Sequence, residues 1–484
     1  MIISILQDNK FAQLLEVDEE VLPKIRKHLS YKQQGVEYTP AFKRGWDGIT
    51  YLIDKRNVFP IGLVSYLTGF LDDKKISYTI EDLRCKKSSL NPIDLNSRLA
   101  ELKKIPRYYQ EEAVKAAVAA ERGIIKAATG SGKTLIACLI AAALGKKTVI
   151  HVIGTDLLYQ FHKEFTNIFQ REIGIIGNGE CDIKDITIAS VWTTGKALKM
   201  KSKDIVQEDV EEEKFDERNT FKIIQCMKEA KVHIFDECHI ATCNTIKNIY
   251  DLISPEHIYG MSGTPLRLDG ADLLITGILG DNLVDIKASQ MIKEGVLAQP
   301  FIKFINVPST PLDGHTYPEI YSEFIINNSM RNQLVLSQVK YLISKGYQVL
   351  VLFNAIKHGD ILSKLFEEDG GIKFELLDGS DDSDRREHVK ELALSKKIDC
   401  IIASKIFDIG VDIPSLSGLV LAGGGKSYVK AMQKIGRVIR GYPGKKHAAI
   451  VDFIDNAKYL KNHSKRRYEI YKLEPYFKVM GYVK

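Results

Sequence analysis

The stretch from Gly123 to Thr134, GIIKAATGSGKT, constrains the fold of this chain more than any other feature. It predicts a short buried strand, then a turn that contains glycines, and then a helix. Gly132, Lys133 and Thr134 complete the pattern G-x-x-x-x-G-K-[ST], in which Ala127 takes the place of the first glycine. A strand, a glycine turn and a helix in this order predict an α/β sheet with a phosphate-binding turn.

The composition of the turn indicates how it would hold a nucleotide. Glycines allow backbone N–H groups to close around a phosphate without an obstructing Cβ atom. Lys133 would reach the β- and γ-phosphates, and the hydroxyl of Thr134 would bind Mg²⁺. We therefore predict a nucleotide and Mg²⁺ site that comprises Thr129, Gly130, Ser131, Gly132, Lys133 and Thr134.

A second segment indicates which reaction this site would catalyse. The apolar run Lys231–Phe235 predicts a strand, and Asp236 and Glu237 follow it directly. We predict that Asp236 binds Mg²⁺ and that Glu237 polarises the water molecule that attacks the γ-phosphate. The alternative is that the two carboxylates only cap a helix after the strand.

Gln110 lies in a predicted helix that Pro106 opens, shortly before the phosphate-binding turn. Its side-chain amide offers an acceptor and a donor together, which suits both edges of adenine. We therefore predict that Gln110 reads adenine and that the nucleotide is ATP. The alternative is that Gln110 is an ordinary helix residue.

Strands alternate with helices in both halves of the chain, which predicts two parallel-sheet α/β domains. The second half has no phosphate-binding turn, but Arg437 and Arg440 lie three residues apart on a predicted helix and would share one face. We predict that both neutralise charge on the γ-phosphate in the transition state, as arginine fingers do. The alternative is that they pair with surface carboxylates.

Polar residues follow two other predicted strands. Ser190 and Trp192 come after one of them and Ser404 after the other. Ligands bind at the carboxyl ends of parallel strands, and hydroxyl groups can bond phosphodiester oxygens. We predict that these residues contact DNA or couple it to the nucleotide. The charged stretch 199–220 has few large apolar residues and is interpreted as a solvated insertion.

Length and composition limit the classes of protein to which this chain can belong. The 484 residues suggest three domains. The net charge of +6 is small, but the stretch 426–484 is strongly basic, which favours a polyanionic partner such as nucleic acid. Seven scattered cysteines without a C-x-x-C pair are typical of a reducing cytoplasm. The longest apolar stretch is too short to span a bilayer, and the first residues lack signal-peptide features. We expect a cytoplasmic monomer with no membrane partner.

The ordered motifs of residues 105–455 resemble those of superfamily 2 helicases, in particular branch-migrating helicases of the RecG kind and phage recombination helicases. This resemblance implies nucleotide contacts for Arg107, Gly410, Asp412 and Gln433. It implies DNA contact or coupling for Thr155, Gln160, His239, Ser262 and Thr264. The sequence departs from the family pattern in its DECH motif, in Gln433 where histidine is common, in Thr264-Pro265 and in the insertion at 199–220.

The resemblance also implies a fold and an activity. The fold would be α/β, with two tandem RecA-like parallel-sheet domains at 96–299 and 300–484 behind a small α+β N-terminal domain at 1–95. The activity would be an ATP-dependent DNA helicase or translocase that remodels branched or forked DNA in recombination, repair or replication. Other recombination or replication proteins would be its further partners, in the host cytoplasm if a phage encodes it.

Three other functions stay open at this point. They are an RNA helicase, a junction-binding clamp that uses ATP only as a gate, and the motor subunit of a restriction system. An RNA helicase would carry a DEAD motif and an aromatic residue upstream of an isolated glutamine, and this sequence has neither.

The N-terminal domain carries Lys43, Arg44 and Trp46 near one predicted turn. We predict that this domain recognises the DNA branch, because two α/β domains suffice to hydrolyse ATP and grip a backbone. The alternative is that it only braces the first motor domain.

Overall fold

The computed structural model describes two compact units, Met1–Ala127 with Gly132–Ile286, and Ala128–Ser131 with Lys287–Lys484. Each unit contains one large sheet that is mostly or entirely parallel. Within the described part of the chain, no helix is long and apolar enough to cross a membrane. The residues described are 3–32, 40–84, 88–200, 213–238, 243–263, 272–308, 316–404, 413–425 and 428–482.

The first unit begins with a small domain around a mixed four-stranded sheet. Its elements are β1 (Ile3–Gln7), β2 (Phe11–Glu16), α1 (Leu22–His28), β3 (Ser30–Lys32), α2 (Pro40–Lys43), β4 (Ile49–Tyr51), β5 (Val58–Pro60), α3 (Val64–Asp73) and β6 (Tyr78–Asp82). The strand order is β5-β2-β1-β6, with β1 antiparallel to β2 and parallel to β6. Ile25, Phe59 and Leu67 are central to its core. This arrangement confirms the predicted small α+β domain.

The first unit continues with an eight-stranded sheet in the order β10-β9-β11-β8-β12-β13-β7-β14. Its strands are β7 (Arg122–Ala127), β8 (Thr148–Val152), β9 (Gly174–Gly177), β10 (Glu180–Asp182), β11 (Ile186–Ser190), β12 (Val232–Phe235), β13 (His257–Ser262) and β14 (Asn282–Ile286). Its helices are α4 (Asn96–Glu101), α5 (Tyr108–Ala120), α6 (Lys133–Leu144), α7 (Thr155–Phe169), α8 (Val191–Ala197), α9 (Thr220–Glu229), α10 (Cys243–Leu252) and α11 (Asp272–Leu279).

The central strands of this sheet show why it is parallel and covered on both faces. Every residue of β8, β11, β12 and β13 is buried, as expected for strands packed between two layers of helices. Among the strands of this sheet that the structure describes, only β10 runs antiparallel to its neighbour. Since β7 and β12 both pair with β13 in parallel, their carboxyl ends lie at the same edge of the sheet.

The second unit contains a seven-stranded parallel sheet in the order β17-β18-β16-β19-β20-β15-β21. Its strands are β15 (Gln299–Val307), β16 (Val349–Leu352), β17 (Phe374–Leu377), β18 (Cys400–Ala403), β19 (Gly418–Val420), β20 (His447–Asp455) and β21 (Lys478–Met480). Its helices are α12 (Ala288–Lys293), α13 (Tyr317–Tyr321), α14 (Ser329–Ser344), α15 (Ile356–Asp369), α16 (Ser383–Leu394), α17 (Tyr428–Val438) and α18 (Leu460–Leu473). Two RecA-like parallel sheets are therefore confirmed, while the exact domain boundaries stay a prediction.

The N-terminal domain contacts both helix α10 and strand β7 of its own unit. The Lys10 ammonium donates to the backbone oxygen of Asp251 at 2.6 Å, and the Tyr250 hydroxyl donates back to the backbone oxygen of Lys10. Arg122, the first residue of β7, donates to the backbone oxygen of Asn9 at 2.9 Å. The strand that leads into the phosphate-binding turn is thus attached to the N-terminal domain at its far end.

Candidate nucleotide-hydrolysis site

The phosphate-binding turn lies between β7 and α6, as the sequence predicts. Gly130 and Gly132 have φ angles of +88° and +83°, in the left-handed region that side chains disfavour. A Cβ atom on Gly132 would also lie 2.5 Å from Nε2 of Gln110, closer than atoms can approach. Glycine is therefore required at position 132 both by the backbone and by the neighbouring side chain.

Lys133 and Glu237 form an ion pair across the carboxyl edge of the sheet. The Lys133 ammonium donates to Oε1 of Glu237, and both side chains are largely buried. Burial lowers the pKa of Lys133, but the charges of Glu237 and Asp236 outweigh it and shift the pKa upward overall. The lysine stays cationic, as a ligand of phosphate oxygens must.

Asp236 is a buried carboxylate whose Oδ1 atom has no hydrogen-bond partner among the described residues. Burial raises its pKa to about 7, while the neighbouring Lys133 charge acts in the opposite direction. An unpartnered buried carboxylate oxygen fits a bound cation. Mg²⁺ is typically held by one or two protein oxygens together with phosphates and water. Asp236 and the half-buried Thr134 thus fit Mg²⁺.

Glu237 has an unusual backbone conformation for a residue with a side chain. Its φ angle is +44°, in the left-handed region. Such conformations cost about 1–3 kcal/mol and concentrate at functional sites. The backbone N–H of Cys238 donates to the oxygen of Met261 in β13 at 3.1 Å, which holds the turn against the sheet. The strain therefore supports a functional position for the carboxylate.

Gln110 is buried beside the phosphate-binding turn. Its Oε1 accepts from the backbone N–H of Arg107 at 2.9 Å, within a reciprocal capping box at the start of α5. Arg107 in turn donates to the Tyr109 hydroxyl at 3.1 Å. The structure brings Gln110 and Arg107 to the site, and their contacts with adenine stay a prediction.

The residues predicted for DNA contact or coupling occupy different environments. Ser262 is fully buried at the end of β13, opposite Lys126 of β7. Thr155 is the first residue of α7, and Gln160 is exposed on the same helix. Ser404 is buried just after β18. Their roles stay predictions. Four further predicted residues lie outside the described residues, namely His239, Thr264, Gly410 and Asp412, as does the side chain of Gln433.

Ser190 and Trp192 are buried in this structure, and their predicted role in DNA contact or coupling stays a prediction. The Ser190 hydroxyl accepts from the backbone N–H of Trp192 at 3.1 Å and donates to Glu213 at 2.6 Å. The Trp192 side chain is buried in the core. Both are internal because β11 is a central strand whose end turns directly into α8.

Glu213 corrects the prediction that the whole of 199–220 is solvated. Its carboxylate is buried, and it accepts from the hydroxyls of Ser190 and Thr193 and from the N–H of Asn178. Burial raises its pKa, and those hydrogen bonds act in the opposite direction. The residues 201–212 of this stretch lie outside the described residues.

Arg437 and Arg440 occupy different local structures in the second unit. Arg437 lies in the last turn of α17, but this helix ends at Val438 and Arg440 instead forms an isolated bridge with Leu297. The prediction of one shared helix face is therefore wrong, because Gly441 and Pro443 follow closely and end helices. Both side chains are half-buried.

Three family models match this chain. The type III restriction enzyme res subunit model matches residues 103–267, and the helicase conserved C-terminal domain model matches residues 332–442. The model of the N-terminal domain of the DNA helicase UvsW matches residues 3–81. Together these matches include the N-terminal domain, the phosphate-binding turn and the stretch with Arg437 and Arg440.

Individual relatives agree with the family models. The ATP-dependent DNA helicase uvsW of Enterobacteria phage T4 is 27% identical over 469 residues, which cover 92% of this chain and 88% of the relative. The DNA 3'-5' translocase XPB2 of Sulfurisphaera tokodaii is 23% identical over 406 residues, which cover 75% of this chain and 84% of the relative.

A solved structure shows the same fold. The fragment of a putative HsdR subunit of a type I restriction enzyme from Vibrio vulnificus YJ016 has a TM-score of 0.56 and 18% identity, and the match covers 78% of this chain and 68% of that one. At this identity the likeness concerns the fold alone. Two RecA-like sheets, a lysine–carboxylate pair at one sheet edge, and similarity to DNA helicases over nearly the whole chain together support an ATP-dependent helicase that resembles UvsW.

Proposed function

We propose that this protein is an ATP-dependent DNA helicase or translocase that remodels branched or forked DNA. The observation that carries the proposal is the extent of the likeness to the phage T4 DNA helicase, which spans the N-terminal domain and both sheets. Branch migration or fork regression during recombination, repair or replication would be its role. It would act as a monomer in the cytoplasm, alongside other recombination or replication proteins.

The ion pair at the first sheet edge suggests how the site is switched on. Lys133 forms a charged hydrogen bond with Glu237. A nucleotide phosphate would take over the lysine and release the Glu237 carboxylate to orient and deprotonate a water molecule. Thr134 and Asp236 would hold Mg²⁺, which neutralises charge on the phosphates. Gln110 and Arg107 would fix the adenine end.

The second unit would supply positive charge to the same reaction. Arg437 and Arg440 would act as arginine fingers on the γ-phosphate, a contribution worth about 10³–10⁵ in rate in other phosphoryl-transfer enzymes. Their substitution should therefore lower turnover far more than ATP affinity. Ser262 would relay the nucleotide state to the DNA surface.

The N-terminal domain offers accessible cations for a DNA branch. Lys43 and Arg44 are exposed, whereas Trp46 is half-buried and donates from Nε1 to the backbone oxygen of Ile49 at 3.1 Å. Trp46 thus stabilises the turn that presents the two cations. Phosphate contacts of this kind are electrostatic and depend on salt.

The test is steady-state ATP hydrolysis with matched amounts of single-stranded, duplex, forked and four-way DNA and of single-stranded and duplex RNA. The proposal predicts the strongest stimulation by forked or four-way DNA and little by RNA. Equal or greater stimulation by RNA would contradict it in favour of an RNA helicase. Equal stimulation by plain duplex and branched DNA would contradict the branch-remodelling role. It would still agree with a motor that moves along DNA.

A further inference from the structure

A glycine turn at the carboxyl edge of the second sheet precedes the helix that carries Arg437. It follows β19 and contains Gly423, Gly424 and Gly425. Gly425 has a φ of +123°, and a Cβ atom on Gly423 would lie 2.8 Å from the side chain of Asn354. Consecutive glycines allow many backbone conformations, so a turn of this composition needs other groups to fix its direction.

Those groups are present, because three carbonyl oxygens of the turn, those of Ala422, Gly423 and Gly425, accept hydrogen bonds from side chains. Nη1 of Arg331 donates to the oxygen of Ala422 at 2.6 Å, and Nη1 of Arg467 donates to the oxygen of Gly425 at 2.6 Å. The Gly423 oxygen accepts from the Tyr321 hydroxyl at 2.7 Å and from Nδ2 of Asn354 at 2.8 Å. The path of the turn is therefore fixed by side chains from outside it.

The two arginines are themselves held rigidly by buried carboxylates. Arg331 donates from Nε to Asp455 at 2.7 Å, and its guanidinium lies 4.7 Å from the ring centre of Phe453. Arg467 donates from Nε and Nη2 to both oxygens of Asp452, each at 2.8 Å. Both arginines are buried, an arrangement that costs desolvation and calls for a compensating role.

We propose that Arg331 and Arg467 are positioning residues that fix the glycine turn and, through it, the helix that carries Arg437 and leads to Arg440. The inference rests on the proposed arginine-finger role of those two residues. A guanidinium can bind a carboxylate and a carbonyl at once in a fixed plane, which a lysine ammonium cannot. Since catalysis is sensitive to displacements of about 1 Å, a loosened turn should slow the reaction rather than weaken ATP binding.

The first experiment compares Arg331→Lys and Arg467→Lys with Arg385→Lys as a matched control. Arg385 bonds Glu375 in the same unit but does not contact the turn. We expect both turn variants to lower kcat for ATP hydrolysis at least about tenfold with KM for ATP changed less than about threefold, because geometry and not ground-state binding is lost. The control should keep wild-type kcat. Wild-type kcat in both folded turn variants would overturn the proposal.

A double-variant comparison separates this inference from the proposed function. If Arg467 acts through Arg437 and Arg440, adding Arg467→Lys to a variant that carries both Arg437→Ala and Arg440→Ala should change kcat by less than about twofold relative to that variant alone. A multiplicative loss would overturn the positioning role. Wild-type turnover in Arg437→Ala itself would instead overturn the arginine-finger assignment and, with it, the route proposed here.

Substitution of either buried arginine can itself impair folding. A further variant therefore tests the proposal with both arginines left in place. Tyr321→Phe combined with Asn354→Ala removes both donors to the Gly423 oxygen but leaves the two ion pairs intact. We expect a smaller reduction of kcat, about two- to fivefold, with KM preserved, because the arginines still hold the turn at its ends. Unchanged kcat in this variant, with an unchanged melting temperature, would contradict the inference.

Discussion

The carboxyl edges of the two sheets are built in opposite ways. At the first edge, Asp236 keeps an oxygen without a hydrogen-bond partner among the described residues, and Glu237 has a strained backbone. At the second edge, the charges of Arg331 and Arg467 are buried in ion pairs, and the nearby carbonyls accept hydrogen bonds. Among the described residues, the first edge thus offers a buried oxygen that suits a ligand, whereas the second pairs its buried arginines with carboxylates and carbonyls of the protein.

This difference indicates the role of each edge. Groups that are strained or unsatisfied cost stability, and a protein keeps them where they bind or react. Groups that are fully paired in the interior hold a conformation. Substitutions at the first edge should therefore change turnover with little effect on stability, and substitutions among the buried pairs of the second edge should affect both.

The largest expected effect is at the first edge. Lys133→Ala and Glu237→Gln should each reduce ATP turnover by at least about 10³-fold, for different reasons. The lysine variant loses a phosphate ligand and should bind ATP weakly. The glutamine variant loses the base and should bind ATP without hydrolysing it. Measurements of ATPase rate and of nucleotide binding separate the two, with Lys184→Ala as a surface control. Near-normal turnover by Glu237→Gln would show that another group is the base.

The second edge should respond most in stability. Asp455→Ala leaves the buried Arg331 charge without its carboxylate and should destabilise the second unit by about 3–5 kcal/mol. The matched control is Asp369→Ala, which breaks the partly exposed pair with Lys340 and should cost about 0–1 kcal/mol. Thermal unfolding, monitored by hydrogen exchange in the second unit, measures both losses of stability. Equal destabilisation by the two substitutions would remove the contrast between buried and exposed pairs.

The pH dependence of stability should also reflect a buried group of the second unit. His358 is buried against Asn332, with Nε2 and Oδ1 3.0 Å apart, and burial lowers its pKa to about 3. Protonation of His358 is disfavoured in the folded state but not in the unfolded state. The contribution of the neutral side chain to the free energy of unfolding is therefore fully present above pH 6.5. It should fall by about 1.4 kcal/mol per pH unit as the pH drops from 6.5 toward 3. His358→Gln should remove this slope and the exposed His388→Gln should not, as urea titrations at several pH values would test.

The N-terminal domain should give the smallest effect. Removing residues 1–95 would break the contacts of this domain with the rest of the first unit, such as that of Lys10 with Asp251 in α10, so substitution is a cleaner test than truncation. Lys43→Gln with Arg44→Gln should lower the ratio of fork to duplex affinity about three- to tenfold at fixed salt, while basal ATPase stays unchanged. An unchanged ratio would favour a purely bracing domain.

The sequence predicts the first edge well because its signals are local. A strand, two glycines and a lysine fix the turn around Gly132, and two acids after an apolar run fix Asp236 and Glu237. The fold follows from alternating strands and helices, and the structure confirms it.

Other features depend on contacts between distant parts of the chain, which residue spacing does not reveal. The pairing of Arg331 with Asp455 joins a helix to a strand far along the chain, and Glu213 pairs with Ser190 across the charged stretch. The bridge of Arg440 with Leu297 is another such distant contact, although Gly441 and Pro443 do signal locally that α17 ends before them.

The central proposal, that ATP hydrolysis drives rearrangement of branched DNA, is tested most directly with a synthetic four-way junction of labelled strands. Purified protein is incubated with the junction and ATP, and the resolved duplex arms are separated and quantified over time. We expect wild-type protein to convert the junction in proportion to ATP hydrolysed, and Glu237→Gln to bind the junction without converting it. Tight junction binding and normal ATP hydrolysis without any strand rearrangement would contradict the proposal and indicate an ATP-gated clamp.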